Sequence, residues 1–324
     1  MGKPLRILAI DGGGIRGIIP AVVLAAIEKQ SGKPICELFD LIAGTSTGGI
    51  LALGMVKPGP QAGKPQYAAT DMLELYFKEG TTIFPQSVWR EIKTAKYTLD
   101  EKYPSAGVES ALQKYFGDSR LKDALTNTLI TSYEIEMRMP WLFRSDRALK
   151  NPGFDFPMWQ VARATSAAPT YFEPERIDKA DKSGFFALID GGMYANNPAM
   201  VAYAEALHLA PGSDVVVASL GTGTHTRPIP YADAKHWGLL GWAKSLLDVV
   251  FDGVSRTTDY QVHQLLPPDG ARQRYYRFQL SLTVASDEMD NTDPENLNDL
   301  KEQAEQLVTT QQAEIDSLCA QLTV

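Results

Sequence analysis

Residues 5–17 read LRILAIDGGGIRG, and residues 18–34 continue IIPAVVLAAIEKQSGKP. Leu5 to Ile10 is a short β-leaning run, Gly12 to Gly17 is a glycine loop, and Ile18 to Gln30 reads as a helix. Ser31-Gly32-Lys33-Pro34 closes that helix with the Gly-then-Pro stop that ends many helices. The same pattern then repeats. Leu38 to Ala43 is a second apolar strand, followed by Gly44-Thr45-Ser46-Thr47-Gly48-Gly49 and an apolar helix from Ile50 to Val56. Two consecutive strand–glycine turn–helix units predict an α/β fold on a mostly parallel sheet.

Further along, apolar spacing predicts helices over Tyr67 to Glu79, Ala106 to Phe116 and Met158 to Ala164, and strands over Asn127 to Tyr133 and Arg138 to Phe143. Phe185 to Ile189 is a strand entering Asp190-Gly191-Gly192, and Asn197-Pro198 opens a helix running to Leu209. Val215 to Leu220 reads as a buried strand ending in Gly221-Thr222-Gly223. Gln273 to Leu282 alternates as an exposed edge strand would, and Glu295 to Leu322 reads as one amphipathic helix. No repeat, low-complexity tract or long linker divides the chain, so residues 1–324 are expected to form a single domain.

The glycine loop satisfies G-x-G-x-x-G between a strand and a helix, which is half of a dinucleotide-binding pattern. The other half is an acidic residue at the end of the next strand. That strand ends at Ala43-Gly44, and Asp40 stands near its beginning instead. Consecutive glycines at a helix N-terminus have a second use: their unhindered N–H groups can converge on one oxygen, with the helix dipole adding positive potential. Such a cradle serves as an oxyanion hole if a nucleophile lies beside it.

Gly44-Thr45-Ser46-Thr47-Gly48 supplies a candidate. In G-x-S-x-G between a strand and a helix, the tight turn lifts the serine hydroxyl clear of the sheet and leaves room only for glycines beside it. A base for Ser46 can be sought in two places. Asp190 ends an apolar strand and projects into space cleared by Gly191 and Gly192; desolvation beside the serine would raise its pKa from about 3.9 toward that of a useful base. A Ser-Asp-His triad would instead recruit one of His208, His225, His236 or His263, of which His225 has the best strand-end context.

Taken together, Asp11-Gly12-Gly13-Gly14-Ile15-Arg16-Gly17, Gly44-Thr45-Ser46-Thr47-Gly48 and Asp190-Gly191-Gly192 resemble, in order, the motifs of the patatin-like phospholipase family. Ala162-Arg163-Ala164-Thr165-Ser166-Ala167-Ala168-Pro169-Thr170-Tyr171-Phe172 and Ser219-Leu220-Gly221-Thr222-Gly223 resemble its supporting segments. The likeness spans roughly 5–223, and residues 224–324 carry no assignable motif. It implies a three-layer α/β/α fold and a lipid acyl hydrolase that cleaves phospholipid or other fatty-acyl esters. It also implies a Ser46–Asp190 dyad and an oxyanion hole of the Gly12, Gly13 and Gly14 amides. Arg16 takes the family's basic position, either fixing the loop or meeting substrate. No metal or cofactor is implied.

The charge balance sets outer limits. Lys and Arg number 31 against 39 Asp and Glu, a net charge of −8, which argues against nucleic acid as a partner. The two cysteines, Cys36 and Cys319, form no CxxC or Cys/His cluster, so no metal site is expected. With the absence of a secretory signal pattern at Met1-Gly2-Lys3-Pro4, they point to a cytoplasmic protein. Trp237 to Phe251 is apolar with two tryptophans, suiting either a lid or peripheral membrane-contact helix or a helix packed in the core.

Overall fold

The computed structural model describes residues 3–85, 103–224 and 226–323, apart from the side chains at 239, 240, 243 and 244. Its elements run β1 (Leu5–Ile10), α1 (Ile18–Ser31), β2 (Leu41–Gly44), α2 (Thr47–Val56), α3 (Ala69–Ile83), α4 (Ser105–Phe116), β3 (Asn127–Glu134), β4 (Met139–Arg144) and α5 (Met158–Thr165). They continue with β5 (Glu175–Asp178), β6 (Phe185–Asp190), α6 (Ala199–Leu209), β7 (Val215–Leu220), α7 (Leu239–Leu265), β8 (Tyr275–Phe278), α8 (Pro294–Thr310) and α9 (Gln312–Leu322).

The strands form one sheet in the order β5-β6-β3-β2-β1-β7-β8, with β4 also paired to β3. β3, β2, β1, β7 and β8 are mutually parallel, while β4, β5 and β6 join antiparallel. Both faces are covered. Leu8, Ile10, Ile42 and Val216 point into the larger core, beneath α1 and α2. Ile7, Ala9, Leu41 and Val217 point the other way, toward α6 and the C-terminal end of α7. That alternation is the period of two that strands impose, here apolar on both faces because helices cover each. The fold is three-layer α/β/α.

Three of the differences from the sequence expectation have a local physical cause. The strand expected from Leu38 begins at Leu41, because Ile35–Leu38 closes a helical turn whose Ile35, Cys36 and Leu38 are buried. Asp40 then accepts bonds from Arg6 N and Nε, both at 2.9 Å, which fixes where β2 starts. The expected edge strand at 273–282 is shorter and lies at the sheet's edge, but it is not exposed: Tyr275, Tyr276 and Phe278 are buried. α7 and α9 cover its two sides, Tyr275 Oη donating to Asp259 at 2.7 Å and Tyr276 Oη lying 2.8 Å from Ser317 Oγ. The helix expected over 295–322 breaks at Gln311, after Thr309 and Thr310 turn their hydroxyls back onto the carbonyls of Glu305 and Gln306. Such β-branched, back-bonding residues weaken a helix interior.

Both α8 and α9 pack on α1, and Arg6 Nη1 donates to the Leu322 carbonyl at 2.9 Å. Leu318 is fully buried in the larger core. Leu318→Ala should therefore lower the unfolding free energy by about 2–5 kcal/mol, read from urea denaturation. A loss under about 1 kcal/mol would show that α9 merely covers a self-sufficient core.

Candidate active site

The register of β3 decides where the site lies. β2 runs beside its first half, from Leu41 opposite Asn127 to Gly44 opposite Ile130. β6 runs antiparallel beside its second half, from Asp190 opposite Ser132 to Leu188 opposite Glu134. β4 pairs along 129–134 and overlaps both. A strand has only two edges, so β2 and β6 share the other one and meet end to end at Thr131. The chain leaving β2 reaches Ser46 two residues beyond Gly44, and β6 ends on Asp190.

Ser46 stands at φ 55° and ψ −126°, a sparsely populated region that costs on the order of 1–3 kcal/mol. The turn closes only on glycine at its corners. A Cβ on Gly44 would strike the Gly48 backbone, and one on Gly48 would strike the Ile10 carbonyl at the end of β1. Hydrogen bonds lock the rest. Ser46 N donates to Thr165 Oγ1 at 2.8 Å, and Thr165 Oγ1 donates to the Thr131 carbonyl at 2.6 Å. Thr45 Oγ1 lies 2.7 Å from Thr131 Oγ1 and donates to the Ala195 carbonyl at 2.6 Å. Ser46 is 7% exposed.

Asp190 is fully buried. Its N donates to the Ala167 carbonyl at 3.0 Å, and its Oδ1 accepts from Gly192 N at 2.7 Å. Oδ2 is buried, with no partner of hydrogen-bond geometry among the described residues. Desolvation pushes the carboxyl up to about 7, against the lowering influence of the Ser46 hydroxyl and the Gly192 N–H. Gly191 and Gly192 are required here: a Cβ would strike Thr131 on the first and press on the Phe251 ring on the second.

The glycine loop turns two amides free rather than three. Gly12 N donates to the Asn196 carbonyl at 3.0 Å, which corrects its expected role as an oxyanion donor. Its carbonyl accepts from Thr222 Oγ1 at 2.7 Å. Gly13 and Gly14 N–H have no partner among the described residues. Gly14, at φ 58°, lies so close to the Met289 backbone that only glycine fits. Arg16 is buried and its Nε donates to the Gly13 carbonyl at 3.3 Å, an anchor on the loop.

Gly14, Ser46 and Asp190 line one pocket of ≈ 670 Å³, counted out to its open mouth. Its remaining wall is mostly apolar, with Leu75, Ile83, Phe84, Val108, Phe172 and Phe251 contributing. His208, His236 and His263 are exposed, and no histidine among the described residues lines this pocket; His225 lies outside the described residues. Asp40, just before β2, is bonded to Arg6 at the end of the strand away from the loop, so it does not stand at the C-terminal end of β2 where a dinucleotide site would need its ribose-binding acid.

Thr165 and Thr222 fall within segments that carry only a likeness in the sequence, and the structure gives them bonds. Phe251 closes the apolar Trp237–Phe251 stretch and lines the pocket, whereas the sequence does not single out Thr131 or Asn196. Each is an ordinary residue in its local sequence, visible only once strands and helices from distant parts of the chain come together.

The family model described as "Patatin-like phospholipase" matches residues 8–203. "Patatin-like protein 4" of Arabidopsis thaliana is 31% identical, the alignment covering 95% of this chain and 84% of that protein. A potato (Solanum tuberosum) protein named "Probable inactive patatin-3-Kuras 1" is 30% identical over 86% of this chain and 79% of its own. Among solved structures, VipD from Legionella pneumophila superposes with a TM-score of 0.40 and 10% identity, over 95% of this chain and 67% of that one. The family match takes in the glycine loop, the Ser46 turn and the end of β6 together, and with well over half of its length inside that match the chain belongs to the patatin-like phospholipase family.

Proposed function

We propose that the protein is a lipid acyl hydrolase that cleaves fatty-acyl esters with Ser46 as nucleophile and Asp190 as base. Membership of the family supports lipid acyl hydrolysis in general. Because one relative carries the name "Probable inactive patatin-3-Kuras 1", membership alone does not decide the matter. The observation that carries the reading is a serine on a strained turn beside a buried carboxylate with an unpaired oxygen, both opening on an apolar pocket.

The chemistry follows from those groups. Ser46 Oγ attacks the ester carbonyl carbon as its proton passes to Asp190. The carbonyl π electrons move to oxygen, and that oxyanion takes the Gly13 and Gly14 N–H groups, aided by the N-terminal end of α2. Collapse expels the alcohol, which leaves with the proton from Asp190. Water then gives its proton to Asp190 and attacks the acyl carbon. The fatty acid departs, and Ser46 recovers the proton. A carboxyl whose pKa is about 7 suits proton transfer in both directions near neutrality.

The apolar pocket takes the acyl chain. Phe251 lines it from α7, and the same helix exposes Trp242, Leu246 and Val249 at 39%, 52% and 43%, spaced so that they share one face. In this reading that stripe meets the lipid surface while the inner face of α7 walls the pocket. Among the described residues no helix is long and apolar enough to cross a membrane. In this reading the C-terminal part of the chain belongs to the same hydrolase unit, which the packing of α8 and α9 on α1 supports.

Ser46→Ala should fold like the parent and lose p-nitrophenyl ester hydrolysis and fluorophosphonate labelling by three or more orders of magnitude, roughly the cost of deleting a nucleophile. An active Ser46→Ala protein refutes the assignment. Asp190→Asn should lose nearly as much, whereas a histidine-based triad would leave it substantial activity and lose function on replacement of one histidine. The parent's kcat/KM should rise with pH through an apparent pKa of about 7, since only ionised Asp190 accepts the serine proton; a profile flat from pH 5.5 to 8.5 would contradict that.

Stability should run the opposite way. The folded carboxyl stays protonated up to about 7 while the unfolded one ionises near 3.8, so burial costs nothing at pH 3 and its full amount above pH 7. Asp190→Asn removes the penalty. Its stability advantage over the parent, read as a difference in Tm, should grow from pH 4 to pH 8, the free-energy difference approaching an upper bound on the order of 4 kcal/mol. Thermal melts at the two pH values test this, and an advantage that shrinks with pH would exclude a buried, raised carboxyl.

A further inference from the structure

Arg277 lies on β8, well beyond residues 8–203, and its register places it opposite Ser219 of β7, which in turn sits opposite Ala9 of β1. Its guanidinium therefore reaches across β7 to the residue that joins β1 to the glycine loop. Nη1 donates to Asp11 Oδ1 at 3.0 Å and to Ser219 Oγ at 2.8 Å, and Nη2 donates to Asp11 Oδ2 at 2.6 Å. Ser255 of α7 adds a second donor to Asp11 Oδ2 at 3.4 Å. The Asp11 side chain is 2% exposed and that of Arg277 14%.

Two physical consequences follow. A two-pronged guanidinium–carboxylate pair is directional, so it fixes Asp11 at the root of the loop. The next peptide is held as well, by Asn196 on Gly12 N and by Thr222 on the Gly12 carbonyl. The first amides left without a partner are then those of Gly13 and Gly14. The second consequence is electrostatic. A buried Asp11 carboxylate immediately behind those amides would oppose the negative charge that develops on the ester oxygen, and the Arg277 charge cancels it. Burial pushes the Asp11 carboxyl up, and Arg277 leads the groups that pull it back down.

We propose that Arg277 is a positioning residue for the hydrolytic site: through Asp11 it aims the Gly13 and Gly14 amides at the oxyanion and neutralises the carboxylate behind them. This rests on the Ser46 reading above. Arg277 faces a polar cavity with Thr222 and Gln279 and does not line the pocket that holds Ser46, so its influence falls on the transition state rather than on substrate binding.

The test is steady-state hydrolysis of p-nitrophenyl butyrate by the full-length parent, Arg277→Gln, Arg277→Lys and the double variant Asp11→Asn/Arg277→Gln, with Ser46→Ala as blank and Tm as the check on folding. Removing one oxyanion donor typically costs about 10²–10³-fold in kcat, so misaiming the loop should lower kcat of Arg277→Gln by about 10–100-fold with KM within threefold. Arg277→Lys keeps the charge but not the fork and should fall between parent and Arg277→Gln. The double variant removes the uncompensated carboxylate and should recover part of the loss. If Arg277→Gln does not fold, the Lys and double variants carry the decision. Folded variants that keep kcat within threefold of the parent, or lose only KM, overturn the proposal. So does failure of all three to fold, which would make the pair structural alone. A parent that hydrolyses no ester, or one as active as Ser46→Ala, overturns the Ser46 reading first and this inference with it.

Discussion

With β4 paired along the whole second half of β3, β2 and β6 are left a single edge on which to pair, and their ends abut at Thr131. Most of the site depends on that junction. Thr131 touches both halves: its hydroxyl meets Thr45, its carbonyl accepts from the threonine that holds Ser46 N, and Gly191 packs directly on it. A slip of one residue in either register would turn every side chain of that strand to the opposite face. It would also carry Asp190 or Ser46 by a full residue along the edge. The apolar alternation on two covered faces makes such a slip costly, so the burial of the sheet and the alignment of the two side chains are the same constraint.

Around that junction the unpaired polar groups are arranged in a consistent way. Buried donors and acceptors normally find partners, and along residues 11–13 nearly all do: Asp11 N, Gly12 N and the Gly12 carbonyl are each bonded. Among the described residues nearby, the amides of Gly13 and Gly14, the second oxygen of Asp190, Asn196 Oδ1 and Asn197 Nδ2 have none. In the proposed reaction, attack of the Ser46 hydroxyl on an ester would generate an anion for the Gly13 and Gly14 amides and a proton for Asp190 together, so these three groups would match the reacting state better than the substrate.

What could be read from sequence was what is contiguous. Each of Asp11–Gly17, Gly44–Gly48 and Asp190–Gly192 is a strand end followed by glycines, and the steric need for those glycines is local enough to show in a handful of residues. The parallel sheet was legible for the same reason. Nothing in the order of residues reveals that β2 and β6 meet at Thr131, that Asn196 occupies Gly12 N, or that Arg277 crosses a whole strand to Asp11, since these are facts of register and long-range approach. The alternation at 273–282 predicted exposure because a strand's partners above and below are invisible to it; α7 and α9 supply them. The break at Gln311 does not show in the sequence, because two adjacent threonines weaken a helix without abolishing its amphipathic spacing.

The strain at Ser46 and the buried acid at Asp190 both destabilise the fold, and their persistence needs a cause. It lies in how little freedom surrounds them. All ten residues of α2, which begins immediately after Ser46, are buried, and Gly44, Gly48 and Gly49 bring that helix against β1, β2 and Thr165 with no room for a side chain. Relaxing Ser46 toward an ordinary backbone conformation would require shifting a helix that is packed on every side. Strain of about 1–3 kcal/mol is too small to do so against a core whose individual large-to-small changes cost as much or more. Asp190 is held likewise, its N and Oδ1 bonded to Ala167 and Gly192, leaving Oδ2 as the single degree of chemical freedom. The rigidity that makes these two residues tolerable is also what keeps the serine hydroxyl and the free carboxylate oxygen on the same pocket before any substrate arrives.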